Sequence, residues 1–181
     1  PESLADLPMD SDAAYYVVHS MSGGNADVFQ MEQQSAEHFV QYLNTTSARQ
    51  VIYLSGIAND HDLSVHLRSR RAVENVLGAA TRAQLTVLRA SIIIGSGSAS
   101  FEIIRDIVEK LPVMVTPRWL NSRCQPLGIR DVMFYLEAVL DNPACLDQRF
   151  DLGGPDVLTY KQLLLGLAAV RGHRRSVVTG P

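Results

Sequence analysis

LTVLRASIII, residues 85–94, is an apolar run rich in β-branched residues, closed at once by Gly95-Ser96-Gly97. Phe101, Ile104, Ile107, Val108 and Leu111 then recur at helical spacing. A strand buried on both faces reads as a near-continuous apolar run, and a crossover helix shows a 3.6-residue period. The same pair of signals recurs upstream. QVIYLSG (50–56) is a second such strand; after a polar loop, Ala58 to Asp62, a helix begins at Ser64 and carries Val73, Val76, Leu77 and Ala80 on one face. Further back, AAYYVVHS (13–20) is a third strand, broken by Ser22-Gly23-Gly24-Asn25. A helix with Phe29, Ala36, Phe39 and Leu43 inward follows, with Asn25 placed to cap it. Three strands alternating with three helices through short links predict an α/β fold, a parallel sheet with helices on its faces.

The texture changes after Pro112. VMVTPRW and RCQPLGI read as short strands or extended loops punctuated by Pro117 and Pro126. A helix is expected from Arg130 with Val132, Leu136 and Val139 inward, then a short strand at Phe150-Asp151-Leu152. Thr159 is placed to cap a last helix, Tyr160 to Val170, ending at Gly172. The expected organisation is a sheet domain over residues 1–111 and a smaller lobe over 112–181 packed on it.

Composition bounds the function. The chain has 181 residues, 46% of them hydrophobic, which suits one cored domain with a small lobe. A formal net charge of -3, with only Lys110 and Lys161 as lysines, argues against a nucleic-acid partner, which needs a basic face. Cys124 and Cys145 make no disulfide framework, so a reduced, cytoplasmic setting is the simplest reading. No signal peptide and no apolar run of transmembrane length is seen, so no membrane partner is expected. The chain opens at Pro1 in what reads as a helix tail, and it is expected to be part of something longer.

In parallel α/β sheets, ligands bind at the carboxyl ends of the strands. Those ends carry His19-Ser20, Ser55-Gly56, and the segment Arg89 through Gly97. Small polar residues at three successive ends fit a cofactor cleft; they equally fit simple chain turns. Gly95-Ser96-Gly97-Ser98-Ala99-Ser100 mimics a phosphate-binding loop, but the third glycine is Ser100, and no Asp or Glu occurs between Lys110 and Asp131 to hold a ribose. It reads better as a substrate-side loop. No G-x-S-x-G elbow accompanies Ser20, Ser55 or Ser98, which disfavours a hydrolase. Asp60-His61-Asp62 with His66 lacks regular ligand spacing, so no metal site is expected.

The stretches DAAYYVVHSM (12–21), VIYLSG (51–56), HLRSRRAVENVL (66–77), LTVLRASIIIGSGSASFEIIRDIVEKLPVMVTPRW (85–119), QPLGIRDV (125–132) and FDLGGPDVLTY (150–160) carry a resemblance across nearly the whole chain. Together they resemble the short-chain dehydrogenase/reductase superfamily in its atypical NmrA-like, NAD(P)H-binding branch. That branch includes proteins described as nucleoside-diphosphate-sugar epimerase-like. The resemblance implies a Rossmann-like three-layer sandwich, represented by its later strands, with a substrate-side lobe. It implies that the Gly-rich turn and the acidic ribose residue precede Pro1. The residues present then supply the nicotinamide side: His19, Ser20, Ser55, Gly56, Arg89, Ala90 and Ser91. The implied partners are NAD or NADP in the full-length protein, bound weakly or not by these residues alone, and a small-molecule substrate. A homo-oligomer stays open.

Reductases of that superfamily use a Tyr-x-x-x-Lys pair. Here the equivalent positions are His66 and Arg70, and no tyrosine in the chain has a lysine four residues later. His66 has the chemistry of a proton shuttle near neutral pH, and Arg70 that of a clamp on a ribose or phosphate oxygen. The plainer reading makes both helix-surface residues. Two functions follow as expectations: an oxidoreductase or epimerase-like enzyme using Ser55, His66 and Arg70, or a dinucleotide-binding sensor or assembly protein that turns nothing over.

Overall fold

The computed structural model describes residue 4 and residues 7–18, 25–57, 65–80 and 82–180. Five helices, α1 (Asn25–Leu43), α2 (Val65–Ala80), α3 (Ala99–Lys110), α4 (Ile129–Ala138) and α5 (Tyr160–Val170), are found among them. The strands are β1 (Ala13–Tyr16), β2 (Gln50–Gly56), β3 (Gln84–Ala90), β4 (Ile93–Ile94), β5 (Val113–Thr116), β6 (Arg123–Cys124), β7 (Leu127–Gly128), β8 (Arg149–Leu152), β9 (Leu158–Thr159) and β10 (Ser176–Thr179).

The chain divides into two compact units. The first comprises Pro1–Ala90 and Phe134–Asp151, the second Ser91–Met133 and Leu152–Pro181. The units therefore interleave along the sequence, where a single cut between residues 111 and 112 is the expectation from sequence.

The first unit is built on a sheet of order β1-β2-β3-β8. β1 and β2 run parallel with Ala13 beside Gln50, and β2 and β3 run parallel from Gln50 beside Gln84 to Gly56 beside Ala90. Val87 N donates to Gln148 O and Ser91 N to Leu152 O, a ladder that advances equally along both strands and so is also parallel. The expected parallel sheet is present. One face of it packs Val51, Tyr53, Leu85 and Val87 against Ala36, Val40 and Leu43 of α1 and Val73 and Leu77 of α2. These helix positions recur at the spacing read from the sequence, with Val76 partly buried beside them.

Two strands end earlier than expected. β1 stops at Tyr16, leaving Val17 and Val18 half exposed. The run 85–94 is broken at Ser91-Ile92, because Leu127 N donates to Ile92 O and β4 pairs with β7 in the second unit. There the chain leaves the sheet.

The second unit packs Ile104 and Val108 of α3 against Leu164 and Ala168 of α5, with Met114 and Leu120. β5 and β10 pair in parallel, and β6 pairs antiparallel with β9. α5 begins at a capping box, Thr159 Oγ1 accepting from Gln162 N while Gln162 Oε1 accepts from Thr159 N. After α5, Gly172 adopts φ 71°, the left-handed conformation a glycine takes at no steric cost. Arg175 donates to the carbonyls of Val108 and Glu109, satisfying acceptors that α3 leaves open at its carboxyl end.

Burial in the first core also has a consequence for alkaline stability. Tyr16 and Tyr53 are 3% and 1% exposed and meet edge to face at 5.6 Å. Desolvation pushes the Tyr16 phenol up to about 12 and raises that of Tyr53 as well. An unfolded tyrosine ionises near pH ~10. The folded pKa values lie higher, so the stability these phenols contribute is complete below pH ~10 and is lost as pH rises above it. Each is expected to lower unfolding free energy by up to about 1.4 kcal/mol per pH unit from pH ~10 upward. Urea midpoints at pH 9 and 11 check this. An equal decline in wild type and Tyr16→Phe would refute the contribution of Tyr16.

Candidate functional site at the ends of the central strands

β2 and β3 finish level, Gly56 beside Ala90, so their carboxyl ends share one edge of the sheet. Ser55 is 2% exposed, and its Oγ has no hydrogen-bond partner among the described residues. Its hydroxyl bears on the Tyr53 phenol, opposing the larger rise that burial imposes there. A buried hydroxyl left unpaired forfeits roughly 1–3 kcal/mol. Such a group in a native site calls for a ligand or water to complete it.

Arg70 of α2 lies over the same strand end. A Cβ placed on Gly56 would come within 2.8 Å of Arg70 Nη1 and 3.4 Å of Leu67 Cδ2. Glycine at this position is what lets the guanidinium approach the backbone. Arg70 has no carboxylate partner among the described residues, and its charge is felt by the Tyr53 phenol, whose pKa it lowers. Ser55, Gly56 and Arg70, three of the residues singled out from sequence, are thus brought together.

One helical turn further along α2, Glu74 is 4% exposed. It accepts from Arg89 of β3 in a fork, Nε at 3.1 Å and Nη2 at 2.8 Å. Arg149 Nε stands 4.0 Å from Glu74, and Arg89 Nη1 stands 4.0 Å from Asp151. The guanidinium of Arg89 is accordingly engaged with protein carboxylates. On the α1 side of α2, Ser69, 1% exposed, donates to the buried carboxylate of Glu32.

The Ala90 carbonyl accepts from Ile57 N at 3.1 Å. Ser91 belongs to the second unit, where its Oγ accepts from Gln125 N at 3.3 Å. His66 lies on α2, four residues before Arg70, and its side chain falls outside the description. His19, Ser20 and the trio Asp60-His61-Asp62 lie outside the described residues. The glycine-rich turn at 95–98 closes on itself: Gly97 has φ 85°, and Ser98 caps α3 while its Oγ donates to Ile93 O at 2.7 Å. It serves as a helix cap.

Glu74, Glu32, Ser69 and Tyr53 also border this strand end, beyond the residues expected from sequence. Glu74 carried a usable signal: it is an acid beside Val73 on the buried stripe, and Arg89 is the one cation inside an apolar strand. A buried charge of each sign on adjacent elements predicts their pairing.

No protein-family model matches the chain, and no curated protein matches it in sequence. Solved structures do match. A short-chain dehydrogenase/reductase superfamily protein from Agrobacterium tumefaciens with bound NAD is 15% identical, with TM-score 0.75 over 99% of this chain and 70% of that one. RMD from Pseudomonas aeruginosa, complexed with NADPH, is 17% identical, with TM-score 0.79 over 98% of this chain and 73% of that one. UDP-glucose 4-epimerase from Thermotoga maritima, with UDP-glucose, is 13% identical, with TM-score 0.75 over 94% of this chain and 64% of that one. At such identities the likeness is one of fold. The chain has the Rossmann-type α/β fold of these proteins and spans 64–73% of their length.

Proposed function

We propose that this chain forms the nicotinamide side of an NAD(P)-binding protein of the short-chain dehydrogenase/reductase type. The first unit would hold the cofactor. The observation that carries this reading is the Arg70 guanidinium against Gly56, beside the Ser55 hydroxyl, neither with a carboxylate or hydrogen-bond partner among the described residues, at the carboxyl ends of central parallel strands. A cationic fork and a free hydroxyl suit the diol and phosphate oxygens of a dinucleotide. The residues present therefore fit the group, with Ser55 and Arg70 holding it and Gly56 giving it backbone access. When bound, a nicotinamide cofactor supplies hydride acceptance or donation.

Two activities remain in view. One is oxidoreductase or epimerase-like chemistry on a sugar-nucleotide-like substrate, with His66 as the proton carrier. The other is a sensor that binds the dinucleotide without turnover. A specific observation favours the second: no tyrosine in the sequence has a lysine four residues later.

NADH and NADPH titrated into the full-length protein that carries these residues, followed by nicotinamide fluorescence, test the reading. Arg70→Ala is expected to weaken binding about 10-fold or more, the loss of one charge-assisted hydrogen bond of about 1.5–3 kcal/mol. Wild-type protein that binds neither cofactor, or an Arg70→Ala variant of unchanged affinity, would overturn it. Turnover with a panel of nucleotide sugars, abolished by His66→Ala, selects the enzyme; binding without turnover selects the sensor.

A further inference from the structure

Arg70 sits between two buried carboxylates that pin the same stretch of α2 to different elements. Ser69 is tied to Glu32 of α1, and Glu74 is forked onto Arg89 of β3. Glu32 and Glu74 are 7% and 4% exposed. Removing carboxylates from water is costly, and apolar residues of similar volume commonly stabilise as well or better. Stability alone is therefore a weak reason for two such anchors around one turn. What they do achieve is geometric. A forked Arg–carboxylate bond fixes direction as well as distance, so Glu74 sets the rotation and height of α2 against β3. With Ser69 held from the α1 side, the turn between them has one place to be, and that place lays Arg70 on Gly56.

We infer that Glu74, through its fork with Arg89 and assisted by the Ser69–Glu32 pair, is a positioning residue that holds Arg70 at the strand end for its ligand. This rests on the dinucleotide-binding reading above. Neither carboxylate touches the ligand in this scheme; both act through α2.

A double-mutant cycle on the full-length protein separates positioning from general support. Glu74→Gln keeps the shape and removes the charge. It is expected to weaken NADPH binding about 5- to 10-fold in the wild-type background and to have no further effect in the Arg70→Ala background. A residue that merely stabilises the fold would lower affinity by the same factor in both. Equal factors would overturn the inference, while leaving the cofactor reading intact if Arg70→Ala alone weakens binding. Wild type that fails to bind, or Arg70→Ala without effect, removes the reading and the inference together. If Glu74→Gln does not fold, Ser69→Ala, which loosens the opposite anchor, enters the same cycle with the same expected non-additivity. A readout without cofactor completes the test: the ¹⁵Nε–H resonance of Arg70 is expected to be resolved in wild type and broadened or shifted in Glu74→Gln. An unchanged resonance would also overturn the proposal.

Discussion

Gly154→Ala is expected to destabilise the second unit by at least about 3 kcal/mol, because the added methyl has nowhere to go. Its Cβ would lie 1.9 Å from the carbonyl oxygen of Pro126 and 3.1 Å from the carbonyl carbon, and both are backbone atoms. A flexible side chain could swing away; these cannot without separating the two segments. The segments are themselves bonded, Gly154 N to Gln125 O at 3.3 Å and Gln125 Nε2 to Gly154 O at 3.1 Å. Relief of the clash therefore breaks hydrogen bonds, and refusal to move leaves an overlap. The same chemical change at Gly166 supplies the control. That glycine lies inside α5 with nothing within 4 Å of its Cβ position, so alanine there is expected to stabilise by about 0.5–1 kcal/mol. The protein has a single tryptophan, Trp119, in the second unit, packed edge-on against Tyr160. Its fluorescence during urea unfolding follows the right unit in both variants. A Gly154→Ala midpoint equal to wild type would mean that the 125–126 and 153–154 segments do not approach as described.

Signals of short range were legible in the sequence, and those set by distant chain crossings were not. β2 runs over the residues read as a strand, and α5 over those read as a helix, because an apolar run and a Thr-x-x-Gln cap are local facts. The break of the 85–94 run is not local. It depends on Ile92 finding Leu127, a partner tens of residues away with no mark of its own. The interleaving of the two units follows from the same crossings, which return Phe134–Asp151 to the first unit. The site divides in the same way. Ser55 and Gly56 stand at a strand end and Arg70 on the next helix, so local reading reaches them. That Arg89 turns to Glu74 is decided by how α2 lies across β3.

Gln50 shows what such distant closure contributes, and its replacement by leucine is the second large effect expected. The residue opens β2 and is 1% exposed, an amide where the pattern asks for an aliphatic side chain. Every polar group of its side chain that the structure pairs is paired across the chain. Nε2 donates to Thr86 Oγ1 at 3.0 Å and to the Val139 carbonyl at 2.9 Å, and Oε1 accepts from Asp141 N at 2.9 Å. Thr86, itself fully buried, passes its own hydroxyl to the Cys145 carbonyl at 2.8 Å. One amide thus fastens the returning segment 139–145 to two central strands and supports Asp141 in its left-handed φ of 51°. Leucine matches the volume and removes three bonds at once, leaving Val139 O without its side-chain donor and Asp141 N without its acceptor. The cost expected is about 2–4 kcal/mol, set by the unsatisfied groups more than by the bonds themselves. Thr86→Val added to Gln50→Leu is expected to cost less than the two changes made separately, since the network is already open. Urea unfolding followed by far-UV circular dichroism measures both. A Gln50→Leu loss below about 0.5 kcal/mol would place that amide in contact with water, against its burial, and the returning segment would then need another anchor to explain why it joins this sheet.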